Sequence, residues 1–171
     1  MIWFGSDFHC HHIKLARHYP FRQRFSTGEE MADFIVDRWN AKVADDDEVF
    51  VPGDFDLAPV PLSLGVARRL KGRKYLVPGN HDTKLVRNAE FRSLFTVLPP
   101  IFEWRDHRRM IVLCHYPIWE WNMFYRGSWH LHGHLHARPH GIRGKIKDVS
   151  VDGNDLELYS LPEIETYMET R

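Results

Sequence analysis

The chain is poor in the residues and segments that mark secreted, membrane-bound or disulfide-rich proteins. It has only two cysteines, Cys10 and Cys114, in 171 residues, too few for a disulfide framework. No apolar run approaches the ~20 residues of a membrane span. The first residues have neither the basic region nor the apolar region of a signal peptide. We therefore expect a protein without membrane association, in a reduced cytoplasmic setting.

The chain also lacks an excess of charge of either sign. Lys plus Arg number 23 and Asp plus Glu number 23, so the formal net charge is zero. This balance argues against a polybasic membrane anchor and against a stable complex with long nucleic acid, including a nuclease that acts on long DNA. Local patches can differ from the mean, so a small phosphorylated substrate is compatible with it.

Strand-like segments alternate with helix-like segments, and several consecutive strands follow. Thr27 and Glu30 have the spacing of a capping box at the start of one helix, and Ser160 and Glu163 have it at the start of the last. No repeat, low-complexity tract or linker divides the chain. This order predicts one layered domain of the α/β or α+β class over residues 1–171.

Histidine, in contrast, is abundant: the chain has twelve, and the segment "WHLHGHLHARPH" holds five of them. His130, His132, His134 and His136 alternate, and in one continuous strand they would all share a face. Gly133 lies at the midpoint, where a strand can bend or end. We therefore expect His130 and His132 to belong to a strand and to pack, whereas His134 and His136 project from the turn beyond it.

Side chains that can bind metal ions or protons follow five of the predicted strands. They are Asp7 and His9, Asp54, Asn80 and His81, His115, and then His134 and His136. Each group taken alone reads equally well as turn chemistry or as a packed histidine. Together they indicate a site, because ligand sites in α/β sheets form outside the carboxyl ends of strands. So many nitrogen and oxygen donors suit two borderline divalent metals better than one.

The ordered set "DFH … GD … GNHD … H … GHLH" resembles the calcineurin-like metallophosphoesterase family. The segments "SDFHCHHIK", "HYPIWEWNMFYRGSWHLHGHLH" and "VSVDGND" are similar to its small bacterial and phage-type members, so the resemblance covers most of the chain. It implies a four-layer sandwich of two mixed β-sheets flanked by helices. It also implies that one metal is held by Asp7, His9, Asp54 and His136, and that Asp54 bridges to a second metal completed by Asn80, His115 and His134.

The resemblance further implies a phosphoesterase, with a phosphodiester such as a cyclic nucleotide or a nucleotide-like compound favoured as substrate. A hydroxide that bridges the metals would attack phosphorus, and His81 would protonate the leaving oxygen. Manganese is the favoured metal, and iron, zinc or nickel also suit these donors. The alternative is a non-catalytic, metal-binding scaffold for protein interactions on the same fold. Filled ligand positions favour the enzyme.

One position departs from the family pattern. Many members carry an aspartate three residues after the bridging one, where this chain has Leu57. Asp56, Asp82 or a backbone carbonyl are the candidates to orient His81 instead. Candidate substrate contacts near the ligands are His12, Arg126 and Arg138. A cluster of aromatic residues follows His115 and is either a packed loop, which we favour, or a platform for a nucleobase: Trp119, Trp121, Phe124 and Tyr125.

Overall fold

The computed structural model describes every residue from Met1 to Arg171. Its strands and α-helices follow one another in the order β1 (Ile2–Phe4), α1 (Gly28–Lys42), β2 (Glu48–Pro52), α2 (Val60–Arg69), β3 (Arg73–Val77), α3 (Thr83–Arg87), α4 (Ala89–Leu94), β4 (Thr96–Val97), β5 (Ile101–Arg105), β6 (Met110–Cys114), β7 (Trp129–His132), β8 (Ile146–Asp148), β9 (Tyr159–Ser160) and α5 (Leu161–Glu169). No helix is both long and apolar enough to cross a lipid bilayer.

The strands form two mixed sheets. The first has the order β4-β3-β2-β1-β9, in which β1 to β4 are parallel and β9 runs antiparallel to β1. The second has the order β5-β6-β7-β8, in which β6 to β8 are parallel and β5 is antiparallel. A single parallel bridge between Ser6 and Ser150 links the segments that follow β1 and β8. The parallel strands of both sheets therefore direct their carboxyl ends toward a shared region.

The apolar residues pack in layers on either side of these sheets. Phe4 and Phe50 of the first sheet share one buried cluster with Ile111, Leu113 and Leu131 of the second, so the two sheets pack face to face. The outer face of the first sheet packs against α1, α2 and α4 in the largest buried cluster. The outer face of the second sheet is covered by the β6–β7 connection, which includes a short 3₁₀ helix at Phe124–Arg126. The expected four-layer sandwich is confirmed.

Two helix starts follow the predicted capping chemistry to different degrees. At Ser160 the hydroxyl accepts from the Glu163 amide and the Glu163 carboxylate accepts from the Ser160 amide, which is a complete capping box. At Thr27 the hydroxyl accepts from the Glu30 amide at 3.1 Å. The Glu30 carboxylate, however, reaches one residue further back to the amide of Ser26 at 2.8 Å, so that box is only half formed.

Candidate metal centre

The predicted ligands lie on loops that leave the carboxyl ends of five strands. Asp7 and His9 follow β1, Asp54 follows β2, Asn80 follows β3, His115 follows β6, and His134 and His136 follow β7. Backbone hydrogen bonds join these loops: the Asp7 amide donates to the Gly53 carbonyl, and the His9 amide donates to the Asp54 carbonyl. Residues far apart in sequence are therefore held in one place by the sheet edges and not by a single loop.

The backbone is strained at most of these positions. Five of the predicted ligands have φ between 43° and 68°, the left-handed region that is uncommon for non-glycine residues: Asp7, His9, Asp54, His134 and His136. Each such residue costs of order 1–3 kcal/mol and persists only where the surroundings fix it. The sharp reversals turn the side chains back over the strand ends, which is why they converge.

One group of donors consists of Asp7, His9 and His136, whose ligand atoms all lie within 4.8 Å of one another. Asp7 Oδ1 lies 3.5 Å from His136 Nε2, and its other oxygen accepts from the hydroxyls of Ser6 and Ser150. Burial raises the pKa of Asp7 and lowers that of His9 to about 3. The His9 ring is therefore neutral at physiological pH, which is the form that binds a metal.

A second group shares Asp7 and adds Asp54 and His115. His115 Nδ1–H donates to the Pro52 carbonyl at 3.0 Å, which leaves Nε2 pointing into the site. One oxygen of Asp54, Oδ2, lies 3.4 Å from His115 Nε2 and 3.5 Å from His9 Nε2. Burial opposes ionisation of Asp54, but the hydrogen bond and charge of His115 outweigh it and lower the pKa to about 2. This oxygen thus lies between histidines of the two groups.

The remaining two predicted ligands adjoin the second group. Asn80 Oδ1 lies 3.0 Å from His115 Nε2 and accepts from the Tyr116 hydroxyl at 3.4 Å. The His134 amide donates to both oxygens of Asp7, and its ring lies 5.2 Å from the His115 ring, centroid to centroid. All seven predicted ligands are therefore brought together.

These residues fit divalent cations of the transition series. The set combines two buried carboxylates with imidazole nitrogens, and His9 Nδ1 is buried without a hydrogen-bond partner. Three glycines keep the space around the donors free. A Cβ atom at Gly79 would lie 2.3 Å from Asp54 Oδ1, one at Gly133 would lie 2.3 Å from Asp7 Oδ2, and one at Gly53 would lie 2.4 Å from His115 Nδ1.

Two residues that the sequence reasoning missed support this site. His136 Nδ1–H donates to Asp152 Oδ2 at 2.6 Å, an arrangement that orients the other ring nitrogen of a metal-binding histidine. Arg22, fully buried, donates to both oxygens of Asp152 and to the carbonyls of Asp7 and Phe8. Asp152 lies in the "VSVDGND" segment, which carried a signal, whereas nothing in the sequence around Arg22 distinguishes it from the exposed Arg24.

Neither candidate carboxylate, Asp56 or Asp82, contacts the His81 ring. Asp56 accepts from His11 Nδ1–H at 2.6 Å and from Ser63. Asp82 accepts from the backbone amides of Asp54, Phe55 and Gly79, and burial raises its pKa to about 6. The His81 ring makes no hydrogen bond, and its Nε2 lies 4.0 Å from Asp54 Oδ2. The His81 side chain is 38% exposed.

A cavity of about 550 Å³ opens over the centre. Its lining includes ligands and their neighbours: His9, His12, Leu15, His18, Tyr19, Asp54, Asn80, His81, His134, His136 and Arg138. Two of the three candidate substrate contacts, His12 and Arg138, thus face the cavity. Arg126 does not: it lines a separate cavity with Arg105 and Arg109, so proximity in sequence to the ligands did not place it at the site.

The two histidines of β7 and the aromatic cluster after His115 lie outside the donor groups, and they differ in burial. His130 and His132 are fully buried in β7, and each donates Nδ1–H to a backbone carbonyl, so they pack outside the ligand groups as expected. Trp121 is buried against Phe124, which agrees with a packed loop. Trp119 and Tyr125 are 73% and 83% exposed and do not line the cavity.

Both cysteines are buried and unpaired, and neither belongs to a donor group. Burial raises the pKa of each thiol, so both stay protonated near neutral pH. The Cys10 thiol donates to the Phe55 carbonyl at 3.6 Å. These contacts agree with packing and give no sign of a nucleophile.

Comparison with known proteins gives relatives of mostly unknown function. No family model matches the chain. An uncharacterized protein of Methanocaldococcus jannaschii is 28% identical over 138 residues, which cover 80% of this chain and 69% of that protein. A protein of unknown function from Aquifex aeolicus has a similar structure, with a TM-score of 0.76 and 24% identity over 98% of both chains.

A more distant structural neighbour is Yfce, a phosphoesterase from E. coli, with a TM-score of 0.49 and 16% identity over 87% of this chain and 77% of that one. The Aquifex structure shows the fold and no more. The activity must therefore be argued from the geometry of the site.

Proposed function

We propose that this chain is a metal-dependent phosphoesterase that uses two divalent cations, manganese being the favoured metal. The observation that carries the proposal is the convergence of two donor groups that share Asp7, with Asp54 Oδ2 between His9 and His115. In this proposal Asp7, His9, Asp54 and His136 hold one cation. Asn80, His115 and His134 would hold the second cation, and Asp54 would be shared between the two.

When bound, the two cations would supply Lewis-acid stabilisation of the phosphoryl oxygens and a water of lowered pKa as nucleophile. The chain's own residues position the metal-binding side chains. The Pro52 carbonyl and the Asp152 carboxylate hold the rings of His115 and His136, so their Nε2 atoms need not reorganise during the reaction.

His81 is the group best placed to protonate the leaving oxygen. Its amide donates to Asp54 Oδ1 at 3.0 Å, which fixes the backbone beside the cations, while its ring faces the cavity without a protein partner. An imidazole can donate a proton near neutral pH. With no carboxylate behind it, His81 takes its final orientation from the substrate itself.

The favoured substrate is a phosphodiester, such as a cyclic nucleotide or a nucleotide-like compound. The cavity of about 550 Å³ lies within the usual ~300–1,000 Å³ of sites for small molecules. A ligand of that size would reach beyond the cations to the wall formed by Leu15, His18 and Tyr19.

The test is a matrix of metals against chromogenic substrates. Metal-free protein receives Mn²⁺, Fe²⁺, Zn²⁺ or Ni²⁺ and is assayed with nitrophenyl phosphate and bis(nitrophenyl) phosphate. We expect metal-dependent hydrolysis, faster for the diester, that is lost in His115→Ala and kept in His107→Ala. His107 is an exposed histidine in the β5–β6 turn and serves as the matched control. Two bound metals without hydrolysis of either ester would contradict the enzyme and favour the scaffold.

A further inference from the structure

The cavity has a second part beyond the proposed metal ligands. This wall consists of His12, Leu15, His18, Tyr19 and Arg138, none of which is a predicted ligand. Tyr19 stacks on His136, with ring centroids 4.8 Å apart and an interplanar angle of 20°. That contact fixes the wall against the metal centre, so a molecule bound at the cations would also touch the wall.

The wall comes from two segments without acidic residues in a chain whose total charge is balanced. No aspartate or glutamate lies between Asp7 and Glu29, and none lies between Glu120 and Asp148. The only carboxylate that lines the cavity is Asp54, which the cations would neutralise. The cavity therefore favours a ligand with more negative charge than one scissile phosphate carries.

Arg138 is the residue of this wall whose side chain is best placed to bind an anion. Its Nε–H donates to the Leu135 carbonyl at 3.0 Å, which anchors the guanidinium, and it is not among the arginines that form ion pairs with carboxylates. Its two terminal nitrogens have no protein partner, and two parallel N–H groups match two oxygens of a phosphate. His18, exposed in the same wall, adds a further nitrogen donor.

We propose that Arg138 and His18 form a second phosphate subsite, and that the substrate carries a phosphate group in addition to the one that is cleaved. This inference rests on the proposed function for the position of the cleaved group. The shared chemistry is a nucleotide-like compound with two phosphates, whose source is either a nucleoside bisphosphate or the end of an oligonucleotide.

Binding is measured calorimetrically on Mn²⁺-loaded protein with non-hydrolysable phosphonate analogues. The three probes are the analogues of thymidine 5′-monophosphate, of thymidine 3′,5′-bisphosphate, and of a 5′-phosphorylated thymidine dinucleotide. We expect the bisphosphate or the dinucleotide to bind about tenfold more tightly than the monophosphate, the scale of one charge-assisted contact at an exposed site. The probe that shows this gain identifies the source.

The matched variants are Arg138→Met and Arg143→Met. Arg143 is exposed, lies in the same acid-free segment, and does not line the cavity. Arg138→Met should abolish the gain and leave monophosphate binding within about twofold of wild type, whereas Arg143→Met should keep the gain. His18→Ala should reduce it in part.

The subsite is refuted if wild-type protein binds all three probes equally. It is also refuted if Arg138→Met weakens all three probes by the same factor, since Arg138 would then contact the cleaved phosphate. A gain that depends on Arg138 in a protein that hydrolyses no ester would overturn the proposed function and keep the subsite. Hydrolysis of bis(nitrophenyl) phosphate without any gain would do the reverse.

Discussion

Replacing Arg22 by methionine should weaken both the fold and the metal centre. The guanidinium is fully buried, and its Nε lies 2.6 Å from Asp152 Oδ1. Its terminal nitrogens lie 2.8 Å from the carbonyl oxygens of Asp7 and Phe8 and 3.1 Å from Asp152 Oδ2. Methionine has a long, flexible apolar side chain and none of these donors, so the change removes the polar contacts with little loss of volume.

The size of the expected loss of stability follows from the polar groups that remain after the substitution. The Asp152 side chain, which is 1% exposed, would keep His136 as its only side-chain partner, and two buried carbonyls would lose a donor. Removing one partner of a buried ion pair costs about 3–5 kcal/mol, a large part of the 5–15 kcal/mol that stabilises a typical domain. Burial raises the pKa of Asp152, but His136 and Arg22 hold it below its ordinary value, so without Arg22 the pKa should rise.

If Asp152 is less fully ionised, its carboxylate orients the His136 ring less firmly. Losing a hydrogen-bond partner of a metal-binding histidine typically costs 10–100-fold in metal affinity. The assays are urea unfolding of the metal-free protein and calorimetric titration with Mn²⁺. Arg24→Met is the control: this arginine is exposed over the Phe21 ring, 3.8 Å from its centroid, and should cost less than about 1 kcal/mol.

The double variant Arg22→Met/Asp152→Leu keeps the test valid if the single variant folds poorly. It removes the unpaired charge as well as its partner, so it should regain part of the lost stability without regaining metal affinity. The reasoning is refuted if Arg22→Met unfolds at the wild-type urea concentration and binds Mn²⁺ with wild-type affinity.

Three further changes test other parts of the site and fold. Asp54→Asn should lower Mn²⁺ affinity and turnover together, because it removes the negative charge that lies between His9 and His115. Wild-type turnover at low Mn²⁺ would contradict the bridging role. His81→Ala should keep Mn²⁺ content but slow an alkyl phosphodiester by roughly 10²–10⁴-fold, with less effect on a nitrophenyl ester that needs no proton. Equal slowing of both esters would exclude proton donation. His130 has both ring nitrogens bonded and burial lowers its pKa to about 4, so the unfolded chain gains the proton first as pH falls. The free energy of unfolding should therefore fall between pH 6.5 and 4, by at most about 3 kcal/mol for this group, and His130→Gln, compared in urea unfolding at pH 7.5 and 5, should flatten that slope.

The sequence predicted the parts of the fold that depend on local pattern. The apolar run "MIVLC" forms the buried strand β6, and β7 ends at His132, just before Gly133, so that His134 and His136 lie beyond the strand. The late strands were predicted less well. The segment "KIKDVSVDGND" has the pattern of a strand over most of its length but forms only the three residues of β8, because the Asp148 carboxylate accepts from the Ser150 amide and a 3₁₀ turn follows at Val151–Gly153.

The supporting contacts of the site could not be read from the sequence. Arg22 and Asp152 are 130 residues apart, and neither periodicity nor spacing links them. The same holds for Asp56, whose place two residues after Asp54 made it a candidate to orient His81. In the structure it pairs with His11, since the tight turn at Asp54, with φ of 56°, sends successive side chains in different directions.

The strained turns and the hydrogen bonds around them also explain how the predicted ligands lie so close together. Asp7 and Asp54 contribute carboxylates to one group of atoms within 4.8 Å, an arrangement that repulsion between two negative charges would oppose. Hydrogen bonds from Ser6, Ser150 and the His134 amide hold Asp7, while the His81 amide holds Asp54. The polypeptide therefore bears the cost of bringing these side chains together, and a divalent cation bound in the proposed site would relieve the repulsion at donors that are already in position.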